Sequence, residues 1–243
     1  MNLIDGRLKL KPEEILFINV EKRTLPFRES ILLKKNQKIS TYSQFQKVFA
    51  DLKNPSLPDS AKKYLDPVKL VFMDSLSRLF WLLSEHIKAS GSRGREFWAD
   101  YLDESKLLLN NLDIGNRYLV VTSLDDISSD ADVIDRKQAM AQGQMRGQIE
   151  GYFDIVLHTH FNAMKTDDES YSFYTKTDGK NSAKSPIGMF EKKIIQNDLS
   201  FVLGRIHEYY DIANTKLTPP PILIVGKSGS GKSTSLMYCI ESN

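Results

Sequence analysis

Five short apolar runs, rich in β-branched residues, punctuate the chain at residues 15–20, 69–73, 118–122, 153–158 and 222–225. Runs this short and this uniformly apolar predict strands buried on both faces, as in a parallel sheet. Segments with a helical period lie between them. Leu76, Leu79, Phe80 and Leu83 share one face of a helix predicted over residues 75–87, and Phe97, Tyr101 and Leu108 do the same over 96–112. Leu199, Val202, Leu203, Ile206 and Tyr209 form the apolar stripe of a third helix, over 198–210. Strand–helix alternation of this kind predicts an α/β fold with a mostly parallel sheet flanked by helices. Residues 171–177 alternate aromatic and polar, the pattern of an edge or hairpin strand near the end of the sheet. Residues 88–95 and 125 to about 147 read as loops. A polar stretch over 211–218 runs into Pro219, Pro220 and Pro221, which neither continue a helix nor donate to a sheet ladder and so form a stiff connector.

Composition narrows the picture only slightly. The chain has 243 residues, 41% hydrophobic and 26% charged, with a formal net charge of +2. That is the composition of a globular protein without a strong global field toward nucleic acid or membrane. The first 48 residues are locally basic, with ten Lys/Arg (7, 9, 11, 22, 23, 28, 34, 35, 38, 47) against five Asp/Glu (5, 13, 14, 21, 29). They read as a solvated face, with a polyanion-facing surface as the alternative. Cys239 is the only cysteine, so no internal disulfide forms, and its apolar neighbours predict a buried thiol. No apolar run approaches the ~18–20 residues of a membrane span, and no apolar signal core opens the chain.

The last apolar run carries the chemistry. It leads into Gly226, Lys227, Ser228, Gly229, Ser230, Gly231, Lys232, Ser233 and Thr234. A buried strand, then G-x-x-x-x-G-K-[ST], then a predicted helix is the P-loop pattern. Glycines let consecutive amides converge on phosphate oxygens, and a helix N-terminus adds its dipole. These nine residues are therefore expected to cradle a nucleoside triphosphate, ATP with Mg²⁺. Lys232 is expected at the β- and γ-phosphates and Ser233 on the metal; a plain Gly/Ser turn is the alternative. A Mg²⁺-assisted hydrolase also needs an acidic residue on a neighbouring strand. Asp74, ending the 69–73 run, fits this role, reaching the metal through water; the alternative is a helix cap. Glu21, ending the 15–20 run, is the candidate for orienting the attacking water, against a plain surface glutamate beside Lys22 and Arg23. Thr122 and Ser123 end another strand, where they either sense the γ-phosphate or begin a loop.

The order of these parts is unusual. In P-loop proteins the phosphate loop normally follows the first strand, yet here Glu21 and Asp74 precede it. Either the chain stops just inside a second domain, or one domain spanning 1–243 is circularly permuted, with 211–221 joining the usual C- and N-termini. A lone strand and short helix cannot bury a core, which favours permutation. That reading predicts a helix through Leu236, Met237 and Ile240 to Asn243, a helix end with a turn glycine over residues 1–6, and termini close in space.

In permuted order nearly the whole chain resembles the RecA-core ATP-binding proteins of bacteriophages, grouped with single-strand annealing and recombination functions. The resemblance lies in "PPPILIVGKSGSGKSTSL" (219–236), "LFINVEKRTLPFR" (16–28), "IEGYFDIVLHT" (149–159) and most specifically "AKSPIGMFEKKIIQNDLSFV" (183–202). It implies a cytoplasmic ATPase of the infected host that acts on single-stranded DNA, assembles as a homo-oligomer or filament and works with phage replication or recombination proteins. It strengthens Glu21 as the activating carboxylate. It makes residues 125–147 and 88–95 the loops facing DNA, with Arg93, Arg95, Arg136, Lys137 and Arg146 as phosphate contacts; a solvated loop is the alternative. It also offers Lys176, Lys180 or Lys184 to a neighbour's γ-phosphate, against the alternative of an exposed hairpin. A nucleotide-dependent switch with little hydrolysis is the competing function.

Overall fold

The computed structural model describes residues 2–24, 33, 35–128, 136–162, 170–215 and 217–241. A hairpin of β1 (Asn2–Ile4) and β2 (Arg7–Lys9) comes first, turning through Asp5 and Gly6 at φ 50° and 70°. Next come β3 (Ile15–Asn19), β4 (Lys35–Lys38), α1 (Tyr42–Lys53) and α2 (Asp59–Leu65). They are followed by β5 (Leu70–Asp74), α3 (Leu76–Ala89), α4 (Gly94–Asn110) and β6 (Tyr118–Ser123). A two-stranded ribbon, β7 (Asp125–Ser128) and β8 (Arg136–Ala139), precedes β9 (Ile155–Phe161), β10 (Tyr171–Tyr174) and β11 (Ile194–Gln196). The chain closes with α5 (Leu199–Tyr209), β12 (Ile222–Val225) and a 3-10 helix over Thr234–Cys239.

Eight strands form one sheet in the order β11-β10-β9-β12-β6-β5-β3-β4. The six from β9 to β4 run parallel, while β10 is antiparallel to both its neighbours. All five expected strands form the centre of this sheet, and β10 lies one strand in from the edge. The period of two divides their side chains between two cores. Leu16, Ile18, Val71, Met73, Leu119, Val121, Leu223 and Val225 meet α1, α3 and α4 on one face. Ile15, Phe17, Leu70, Phe72, Tyr118, Val120, Ile222 and Ile224 meet α5, the 3-10 helix and the β1–β2 hairpin on the other. Covering both faces is what lets the strands be apolar throughout. The edge strand β4 is polar, Lys-Asn-Gln-Lys, which explains why no apolar run announces it.

Helix boundaries follow from caps. Ser75 Oγ accepts from Arg78 N–H at the start of α3, and Asp198 Oδ1 accepts from Phe201 N–H at the start of α5. α3 runs through Ala89 and α4 starts at Gly94, so the 88–95 loop shortens to residues 90–93.

Two features expected at the chain ends are corrected. Residues 2–9 form a hairpin and no helix end; the glycine does mark a turn, but one between strands. The segment after Lys232 is a six-residue 3-10 helix, and Ile240 leaves it in extended conformation. Six residues are too few for a cooperative α-helix, and Ser235 Oγ takes the Lys232 carbonyl for itself. Residues 242 and 243 lie outside the described residues. The expected proximity of the two ends holds among the described residues. Leu10 and Ile240 form a parallel bridge, with Leu10 N–H donating to Cys239 O (2.8 Å) and Glu241 N–H to Leu10 O (2.9 Å). Cys239 is buried as expected. Among the described residues no helix is long and apolar enough to cross a membrane.

Candidate functional site

Parallel strands bring their carboxyl ends to one edge of the sheet, the usual place for a ligand crevice in open α/β folds. Here that edge holds Glu21 after β3, Asp74 at the end of β5, Thr122 and Ser123 in β6, Thr159 in β9 and the glycine loop after β12. A cleft of about 540 Å³ opens at this edge, lined by Glu21, Asp74, Ser75, Tyr171, Lys232 and Ser233 among others.

The loop is built for close backbone approach. At Gly226 a Cβ would lie 1.7 Å from Thr159 Oγ1 and 2.7 Å from Ser230 Oγ. Gly231 has φ +83°, and a Cβ there would meet Asn197 Nδ2 at 2.5 Å and the Tyr171 ring at 2.9 Å. No L side chain fits either position. Thr159 Oγ1 donates to Ser230 Oγ (2.7 Å), which donates to Lys227 O (2.7 Å), fixing one limb of the loop. Asn197 Nδ2 donates to Gly231 O (3.1 Å) and holds the other limb; the buried Asn197 Oδ1 has no partner among the described residues. The amides of Gly229, Gly231, Lys232 and Ser233 donate to no acceptor among the described residues. A run of free amides beside a lysine can hold an anion. The contribution expected from a helix dipole falls away, because a six-residue 3-10 helix follows the loop in place of an α-helix.

Lys232 is 7% exposed and folds back over the loop, donating to Gly226 O and Lys227 O, both at 2.7 Å. Burial pushes its ammonium below the usual lysine value, while Asp74, Asp125 and Glu21 oppose that shift. A polyanion in the cleft would supply the counter-charge that burial denies it.

Asp74 and Ser233 meet across 159 positions of sequence, Ser233 Oγ donating to Asp74 Oδ2 at 2.8 Å. Thr122 Oγ1 donates to Asp74 Oδ1 at 2.5 Å. Asp74 was expected on a strand adjoining the loop strand. In fact β6 lies between β5 and β12, and its Thr122 completes the contact. Thr122 and Ser123 belong to β6 and are fully buried, so neither begins a loop. Glu21 Oε1 accepts from Ser75 Oγ at 2.6 Å, and Oε2 lies 4.0 Å from Arg23 Nε. Ser75 caps α3, the role that was Asp74's alternative.

Among the described residues no three His, Cys, Asp or Glu side chains gather as a metal cluster. Mg²⁺ needs no such cage when phosphates and waters complete its octahedron, and one hydroxyl and one carboxylate then suffice. Ser233 and Asp74 provide that donor set. Sequence reasoning missed the supporting groups Ser75, Thr159, Tyr171 and Asn197. Only Thr159 and Asn197 carried a signal, lying inside the 149–159 and 183–202 segments.

The basic groups assigned to DNA fall at the start of α4 (Arg93, Arg95) and at the β7–β8 ribbon (Arg136, Lys137, Arg146). Arg93 Nη1 donates to Lys88 O and Ser92 O, which ties it to the end of α3. Arg146 bonds Ile127 O (2.8 Å) and pairs with Asp126 (3.0 Å), bracing the β7–β8 ribbon. Arg95 and Lys137 are exposed, and the Arg136 side chain lies outside the described residues, as do residues 129–135 of the expected loop. Lys176, Lys180 and Lys184 are exposed too. Of the basic N-terminal residues, Arg7 pairs with Asp198, Lys9 donates to Tyr238 O and the buried Lys35 to Glu13 O, so these three serve packing rather than a charged face. Comparison of the chain with family models, with curated proteins and with solved structures returns no match.

Proposed function

We propose that this chain is a P-loop protein that binds ATP with Mg²⁺ and hydrolyses it. The Ser233–Asp74 contact carries the reading, because it joins the hydroxyl of the glycine loop to the strand-end carboxylate that Mg²⁺-dependent hydrolysis requires. In this reading the amides of residues 226–234 and Lys232 hold the phosphates. Ser233 holds Mg²⁺ directly and Asp74 through water. Glu21 orients the attacking water, and Thr122 fixes Asp74. Mg²⁺ supplies charge neutralisation at the phosphates when bound. The loop strand follows its partner strands in the chain, so the fold we propose is a circularly permuted RecA-like core. Action on single-stranded DNA in phage recombination or replication, through self-assembly, rests on the resemblance; the exposed Arg95 and Lys137 are the described side chains that support it.

The test is ATP turnover by the purified protein, with and without single-stranded DNA, beside Lys232→Ala and Asp74→Asn. We expect wild-type turnover that each variant lowers by roughly 10²-fold or more. Stimulation by DNA would support the recombination role. Binding of ATP with no turnover in any condition would favour the switch, and absence of ATP binding would overturn the reading.

A further inference from the structure

The glutamate of the site is held by a residue that the motif reading does not use. We propose that Ser75 is the positioning residue that aims Glu21 at the attacking water, an inference that rests on the ATPase reading above. Ser75 is 2% exposed, at the wall of the cleft. That hydroxyl has one proton, and it goes to Glu21 Oε1 at 2.6 Å. One of its lone pairs is also taken, by Arg78 N–H at 3.2 Å. The hydroxyl thereby links Glu21 to the first turn of α3, which is anchored by the fully buried Leu76 and Leu79.

The backbone around Glu21 is fixed to the same place. Val20 N–H and Glu21 N–H both donate to Asp74 O, at 2.7 and 3.1 Å. Strand end, carboxylate and helix cap therefore form one unit. The other neighbour of the carboxylate is looser: Arg23 Nε stands 4.0 Å from Oε2, on a side chain 74% exposed. With Oε1 occupied by Ser75, Oε2 is the oxygen left to accept from a water in the cleft. In the reaction the water oxygen bonds to the γ-phosphorus as the bond to the β–γ bridging oxygen breaks. The water's proton passes to Glu21 Oε2, and ADP leaves with the bridging electron pair, giving ADP and phosphate. Misplacing a reacting group by ~1 Å can cost about 10²-fold in rate, so a hydroxyl that restricts Glu21 to one orientation acts on turnover and leaves nucleotide affinity alone.

Ser75 also caps α3, and the test separates the two roles. Ser75→Thr keeps cap and donor. Ser75→Asp keeps a good cap but offers Glu21 a like charge in place of a proton. Ser75→Ala loses both. We expect kcat to fall about tenfold in Ser75→Ala and at least as far in Ser75→Asp. The KM for ATP should stay within about twofold, and Ser75→Thr should restore the rate. Thermal midpoints report the cap, with Ser75→Asp holding near wild type. Wild-type kcat in Ser75→Asp would overturn the inference while leaving the ATPase reading intact. A wild-type protein that binds ATP without turning it over would overturn the ATPase reading and this inference with it.

Discussion

Lys232 is held by the loop's own carbonyls. Its ammonium is buried at 7% exposure and donates to two of them, bonds that a phosphate replaces in the proposed reading. Asp74 is similarly prepared, with each oxygen already accepting from a hydroxyl, Thr122 on one side and Ser233 on the other. The motif names Lys232 and Ser233 because phosphate chemistry fixes residue type and spacing along a single loop. It cannot name Thr122 or Thr159, which reach the same site from other strands, or Asn197, which follows β11, and such side chains are common in any sequence. A further residue-scale feature lies away from the cleft. His207 is 8% exposed, and its Nδ1 is 2.8 Å from the buried Tyr118 hydroxyl. Burial lowers its pKa from the ordinary 6.5. The unfolded chain therefore binds the extra proton first. Stability is at its full value above pH 6.5 and declines as pH falls through that value toward the folded pKa. Urea titrations between pH 7.5 and 5 should show this decline, and His207→Gln should flatten it. Equal slopes in the two proteins would show that His207 does not carry the effect.

At the scale of elements, packing decided what pattern left open. The central strands were legible because burial on both faces leaves no polar position. α1 went unseen although Tyr42, Phe45, Phe49 and Leu52 recur at helical spacing and Thr41 caps it. β11 and β4 went unseen because three or four residues at a sheet edge carry too little apolar signal. The 3-10 helix replaced an expected α-helix because Ile240 is drawn into a bridge with Leu10, a contact remote in sequence. One close approach locks the second core: a Cβ on Gly204 in α5 would lie 2.0 Å from Gly6 O in the β1–β2 turn. The obstacle is backbone, so it cannot swing aside. Gly204→Ala should cost about 1–3 kcal/mol through displacement of the hairpin from α5. A lowered thermal midpoint would register this; an unchanged one would mean that the turn shifts freely.

For the molecule as a whole, the last strand in sequence is a middle strand in space. β12 lies between β9 and β6 and contributes Leu223 and Val225 to one core and Ile222 and Ile224 to the other. A chain ending at residue 210 would leave β9 and β6 with unpaired inner edges and a gap through both cores. We expect such a fragment to lack a cooperative thermal transition by circular dichroism, and a cooperative melt near that of the full chain would show that the sheet closes without β12. By itself the sequence determined the α/β class, the five central strands, the glycine loop and the carboxylates Asp74 and Glu21. Each of these is a local pattern: an apolar run, a spacing of glycines, an acid at a strand end. Only the tertiary structure decided that β6 separates β5 from β12, that Thr122 and Ser233 converge on Asp74, and that Ser75 holds Glu21. Strand order and side-chain convergence depend on which faces bury one another, a property of the packed chain that no stretch of it contains alone.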